Sequence, residues 1–210
     1  MPISSKKSLK NLSEEVLACK QCLDLVKTRK TPVPGVGAPN SKLIIVGYHP
    51  TESGAENSGV PFSKDEEGEL IRKVLNEVGL SLDSDTYLSY LVKCTPRKIA
   101  RKKGKDEIKL SKPAGKHVKN CINYLTEEIS VITPHIILTL GLDVSNIILE
   151  RFFSTAKKYR DMSKLHMRLF ENPSFKLIPF YSPHDISSGL ITMEKYTEDF
   201  RSLSRLFAII

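Results

Sequence analysis

Two cysteines stand three positions apart near the start of the chain, Cys19-Lys-Gln-Cys22, and two more follow at Cys94 and Cys121. A CxxC pair sets two thiolates on one side of a tight turn, a common opening for a metal or cluster site. The four cysteines match the ligand count of a structural zinc or of a four-iron, four-sulfur cluster. An incidental CxxC with two buried thiols has the same spacing, so three readings stand open. A thioredoxin-like redox motif fits less well, because its CxxC follows a strand and this one precedes every expected strand.

Between the third and fourth cysteines lies a dense basic stretch. Residues 97–112 hold eight Lys or Arg against Asp106 and Glu107, a local net charge of +6. Taken alone, such a run reads as a solvated loop. The 210-residue chain has 32 basic and 24 acidic residues, a net charge of +8. This balance favours an anionic partner, with nucleic acid the first candidate and an anionic membrane the second. No apolar run approaches the ~20 residues of a membrane span. The first residues, MPISSKKSLKNLSEEV, lack the apolar stretch of a secretory signal. The expectation is a cytoplasmic protein without a membrane partner, in a reducing compartment where cysteines serve as ligands or buried thiols. The length predicts one domain.

The elements that must position these residues follow from hydrophobic pattern. A helix is expected near residues 12–26, carrying Cys19 and Cys22, and a Pro- and Gly-rich loop at 31–42. Short apolar runs ended by Gly or polar residues predict four strands at 42–47, 86–93, 135–141 and 176–182. Helical spacing recurs at 65–79, where acidic residues fill the first turn and Gly79 ends the run. Further helices are expected at 114–131, 142–153 and 194–207. Strands alternating with helices argue for an α/β sandwich on a largely parallel sheet, with the ligand site beyond the carboxyl ends of the strands. Those ends are Gly47-Tyr48-His49, Lys93-Cys94, Gly141 and Ser182-Pro183-His184-Asp185.

In order along the chain, Cys19-x-x-Cys22, TPVPGVGAPNSKLIIVG, GVPF at 59–62, YLVKC at 90–94, Cys121, PHIILTLG at 134–141 and FYSPH at 180–184 form a set. That set resembles the iron–sulfur, family-four branch of the uracil-DNA glycosylases, over roughly residues 15–206. The resemblance implies a three-layer α/β/α sandwich with a central, mostly parallel four-stranded sheet. It also implies that Cys19, Cys22, Cys94 and Cys121 ligate a structural 4Fe-4S cluster. The implied activity is monofunctional hydrolysis of the N-glycosidic bond of a base flipped out of DNA.

The motifs around the site depart from the family. Tyr90 stands where the family carries an Asn that reads the uracil edge. Gly47-Tyr48-His49-Pro50-Thr51 replaces a Gly-Glu-Gly-Pro-Gly-like motif, and Ser182-Pro183-His184 replaces one beginning His-Pro. Phe62, which in the family stacks on the flipped base, is kept. Glycosidic cleavage puts positive charge on the sugar and negative charge on the base, so the site needs a water-orienting acceptor and donors aimed at the base. Asp185 is the first candidate acceptor, although an Asp opening Asp-Ile-Ser-Ser-Gly also suits a turn cap. Glu56 is the second and Glu52 the third. His184 and His49 are candidate donors to the base or a phosphate. Tyr48, Tyr90 and Ser182 are expected to line the base pocket with Phe62.

A Tyr in place of Asn removes the paired donor and acceptor that suit an amide edge of a base, and with it selectivity for uracil. The expected substrate is a modified pyrimidine. Hydroxymethylated or glucosylated cytosine of phage DNA would make the protein an antiviral defence enzyme that leaves abasic sites. The alternatives are a uracil remover in base-excision repair and an inert DNA-binding module. Residues 97–112 look like an insertion between the third and fourth cysteines. The expected DNA-binding residues there are Arg101, Lys102, Lys103 and Lys105, in a protein expected to be monomeric.

Overall fold

A computed structural model describes residues 8–82, 84–102, 105–155 and 157–207. The chain opens with helices α1 (Leu9–Ala18) and α2 (Leu23–Val26), then strands β1 (Val36–Gly37) and β2 (Leu43–Gly47). Helices α3 (Ala55–Ser58) and α4 (Glu66–Glu77) lead to β3 (Thr86–Tyr90), β4 (Arg97–Lys102) and β5 (Lys105–Leu110). Next come α5 (Gly115–Ile132), β6 (Ile136–Leu140), α6 (Leu142–Phe153), β7 (Phe170–Glu171) and β8 (Lys176–Phe180). Helices α7 (Pro183–Ser187) and α8 (Met193–Phe207) complete the order.

The main sheet runs β1-β3-β2-β6-β8-β7. Its four central strands pair in parallel, and two-residue edge strands add antiparallel at either side. The sheet therefore has six strands, where the apolar runs predict four. Strands of two residues carry too little pattern to be read. Every residue of β2, β3 and β6 is buried, because helices cover both faces. Leu43, Ile45, Leu138 and Phe180 pack on the face of α4 and α8, with Ile71, Leu75, Tyr196 and Phe200. Ile44, Val46, Ile137 and Leu177 pack on the face of α5 and α6, with Leu125, Ile129, Ile148 and Leu149. The period-two alternation of side chains thus divides one apolar run between two cores.

Two other expectations change. The helix predicted over 12–26 is two helices broken at the CxxC. Cys19 caps α1 in an extended conformation (ψ 133°), and Cys22 precedes α2 with ψ 85°. The basic stretch expected as a loop is a β-hairpin. Its strands β4 and β5 pair antiparallel from Arg97↔Leu110 to Lys102↔Lys105 and form a separate two-stranded sheet. Among the described residues, no helix is long and apolar enough to cross a membrane.

Candidate active site and cysteine pocket

The strand order reverses direction at β2, whose two neighbours β3 and β6 are reached by crossovers on opposite sides. Such switch points open a crevice at the strand carboxyl ends. A cleft of about 430 Å³ lies there, lined among others by Gly47, Tyr48, His49, Phe62, Tyr90, Gly141, Ser182, His184 and Asp185. Seven of the residues expected to act on the base are therefore brought together: Tyr48, His49, Phe62, Tyr90, Ser182, His184 and Asp185.

Phe62 and Tyr90 form the floor. Their ring centroids are 4.7 Å apart and their planes are inclined by 31°. Gly47 is needed beneath them, since a Cβ there would meet both rings at 2.7–2.8 Å. Phe62 adopts a left-handed φ of 49°, a costly conformation for a bulky residue. Flanking bonds hold it there. Its N–H donates to the Tyr90 hydroxyl at 3.0 Å, and its carbonyl accepts from Arg72 Nε at 2.5 Å. Gly68 also approaches so closely that a Cβ would lie 2.3 Å from the Phe62 carbonyl carbon. The Tyr90 hydroxyl is thus already engaged as a bracket for the Phe62 turn.

The carboxylates differ sharply in commitment. Asp185 Oδ2 accepts from the Ser182 N–H at 2.6 Å and the Ser182 hydroxyl at 2.8 Å, the bonds of a helix cap. The turn-capping use of this Asp is therefore present alongside its place in the cleft. Asp65 also lines the cleft and caps α4, with Oδ1 accepting from the Gly68 N–H at 2.7 Å and Oδ2 from the Thr51 hydroxyl. Asp143 pairs with Lys112 across the rim at 3.0 Å. Glu67, a further lining residue, has a loose ion pair with His184 at 3.9 Å. Burial raises the Glu67 carboxyl above its ordinary value, the charges of Asp65 and Asp185 add to this, and His184 opposes it.

The sequence reading missed Glu67, because acidic residues in the first turn of a helix are already explained by the helix dipole. Only the fold turns this one toward the cleft.

Glu56, the second candidate for water activation, is not in the cleft. It is fully buried, and Arg97 grips its carboxylate with Nη1 to Oε1 at 2.8 Å. Oε1 also accepts from the Lys30 N–H at 2.9 Å. Glu52 joins the same arginine at 2.9 Å. Both acids therefore anchor the base of the hairpin. His49 is partly buried, and burial lowers its pKa. Its Nδ1–H donates to the Pro50 carbonyl at 3.0 Å. His184 is exposed.

The four cysteines ring a second cavity on the other side of the β3 end, with Arg29, Asn120 and Tyr124 in its wall. None of the four forms a disulfide. Among the described residues, no three His, Cys, Asp or Glu side chains converge tightly enough to hold a single metal ion. The sulfurs surround a space rather than meet at a point. Three of them accept a hydrogen bond. Arg29 Nη1 donates to Cys94 Sγ at 3.1 Å, the Lys93 N–H to Cys121 Sγ at 3.2 Å and Asn120 Nδ2 to Cys22 Sγ at 3.5 Å. Tyr124 lines the cavity beside Cys19. Burial pushes the Cys121 thiol up to about 12, so any metal bound there would have to supply the charge that ionises it. Donors to three of the four sulfurs suit an anionic iron–sulfur group.

The hairpin leaves the body between these two pockets. Of its expected DNA contacts, Arg101 is exposed. Lys103 lies outside the described residues, as do the side chains of Lys102 and Lys105.

A family model described as "Uracil DNA glycosylase superfamily" matches residues 34–201. A protein named type-4 uracil-DNA glycosylase from Archaeoglobus fulgidus is 27% identical over 203 residues, covering 95% of this chain and 93% of its own. One of the same name from Sulfurisphaera tokodaii is 30% identical over 203 residues, covering 95% and 84%. A type-5 uracil-DNA glycosylase from Pyrobaculum aerophilum is 24% identical over 212 residues, covering 87% and 86%.

Proposed function

Because the chain belongs to the uracil-DNA glycosylase superfamily, we propose that it hydrolyses the N-glycosidic bond of a modified pyrimidine extruded from DNA. The observation that carries the substrate reading is the Tyr90 hydroxyl. It is bonded to the Phe62 backbone, and so offers no carboxamide-like pair to a pyrimidine edge. A site that does not read this edge has lost the main ground for selecting uracil. Hydroxymethylated or glucosylated cytosine, as in phage DNA, is the proposed class, and antiviral defence the proposed setting.

The extruded base stacks on Phe62, with Tyr48 along the wall. As the bond lengthens, positive charge on the sugar is stabilised by the carboxylates of Asp65 and Asp185, whose capping bonds fix them in place. Glu67 orients the attacking water, since its carboxylate alone among these acids lacks a capping bond. His184 and Ser182 face the leaving base and the flanking phosphate. Cys19, Cys22, Cys94 and Cys121 would hold a 4Fe-4S cluster, which supplies structural cross-linking of α1, α2, the segment after β3 and α5. The names of the type-4 relatives favour a second reading, in which uracil itself is the substrate of a repair enzyme.

One experiment separates them. Duplexes carrying uracil, 5-hydroxymethylcytosine or its glucosylated form are incubated with the protein, and released bases are identified by mass spectrometry. Faster release of a modified base is expected. Preferential release of uracil would establish the repair reading, and no release from any duplex would remove both.

A further inference from the structure

The hairpin carries more than charge. Alternation along β4 and β5 divides it into two faces. Lys98, Lys109, Ala100 and Glu107 occupy one, and Ile99, Ile108 and Leu110 the other, with Arg97 at the root of that face and the Arg101 and Asp106 pair nearer the tip. Ile99 and Ile108 are direct cross-strand partners. They are 52% and 55% exposed, and Leu110 is 56% exposed. Three of the eight large apolar side chains that are exposed among the described residues therefore sit on one face of one ribbon.

An isolated two-stranded hairpin is marginal in water, and an apolar ridge displayed on it calls for an occupant. Charge selects which one. The stretch around the ridge carries +6, which suits a polyanion. Location agrees with this. Thr95 Oγ1 donates to the Pro50 carbonyl at 3.1 Å, Arg97 joins Glu52 and Glu56, and Lys112 reaches Asp143 on the cleft rim. The ribbon is thus rooted on both sides at the mouth of the cleft.

We propose that this hairpin is a duplex-reading ribbon that lies in the major groove beside the extruded nucleotide, with Ile99, Ile108 and Leu110 toward the base edges. The proposal rests on the DNA glycosylase reading and adds that the substrate is double-stranded. Two strands about 4.8 Å apart, with their side chains, fill a groove roughly 12 Å wide and are excluded from one roughly 6 Å wide. Apolar side chains meet thymine methyls and other 5-substituents there. Lysines on the back face and edges reach the phosphates of the groove walls on their long stems. A single strand offers no groove to match.

The test is binding by fluorescence anisotropy to unmodified duplex and single-stranded oligonucleotides of one length. Wild-type protein is expected to prefer duplex by about tenfold. Ile99→Ser/Ile108→Ser is expected to remove most of that preference while leaving single-strand affinity unchanged, and Ile99→Val/Ile108→Val to retain it. Thermal melts establish that each variant is folded, and the Val pair keeps the test valid if the Ser pair unfolds. Equal wild-type affinity for both forms would overturn the inference alone. So would a Ser variant that binds duplex normally but loses self-association on a sizing column. No DNA binding in any form would overturn the glycosylase reading together with it.

Discussion

Tyr90 and Glu67 show how one residue changes meaning when its neighbours are known. Tyr90 reads in sequence as a pocket ring, and in the structure its hydroxyl also fixes the strained Phe62 turn at 3.0 Å. Glu67 reads as a helix-dipole acid, and in the structure it faces the cleft with no capping role. Its raised pKa makes a definite expectation. A water-orienting carboxylate works ionised, so activity falls as pH drops through its pKa. That acid limb of kcat/KM is expected above the ordinary Glu value of about 4.3. Glu67→Gln is expected to lower base release by about 10²–10⁴-fold and to abolish the limb, while DNA affinity is kept. A pH–rate profile of the two proteins checks this, and an unchanged profile would return Glu67 to the helix dipole.

At the scale of elements, the hairpin and α3 are coupled through a buried charge pair. Arg97 and Glu56 are both buried and joined by two hydrogen bonds. Removing Arg97 leaves Glu56 charged and dry, at a cost of about 3–5 kcal/mol, whereas removing Glu56 leaves Arg97 its second carboxylate, Glu52. Arg97→Leu is expected to lower stability by this order and Glu56→Leu by less, and the double variant by less than their sum. Denaturant unfolding of the three variants and wild type completes the cycle, and simple additivity would show the pair to be uncoupled. The sequence gives little warning of this pair, because 41 residues separate its members. The hairpin itself was obscured for a different reason. Lysine and arginine dominate its composition, and only Ile99, Ile108 and Leu110 keep a period of two, too few to outweigh the reading of a charge run as loop.

For the whole molecule, the relevant quantity is the net charge of +8 and its concentration beside the cleft. Each phosphate neutralised by the protein contributes about 0.9 to the slope of log affinity against log salt. Replacing Arg101, Lys102, Lys103 and Lys105 with Gln is expected to weaken duplex binding and flatten that slope by up to about 4. Binding titrations across a salt series measure it, and an unchanged slope would show that these side chains do not meet phosphate. The same change is expected to leave the choice of base unaltered, since phosphate contacts position the duplex and the cleft selects the base.

The central strands and the covering helices were legible in the sequence because apolar periodicity is a local property, set by which side chains must leave water. The order of the cysteines and the Phe62 and Gly47 motifs were legible too, because they sit in short contiguous runs. What required tertiary structure was every relation between distant segments. Glu56 went to Arg97 and away from the cleft, and Glu67 was turned toward the cleft. A buried carboxylate takes whichever cation or N–H the fold brings within reach, and that choice is made by packing across the sheet, beyond the range of any local pattern.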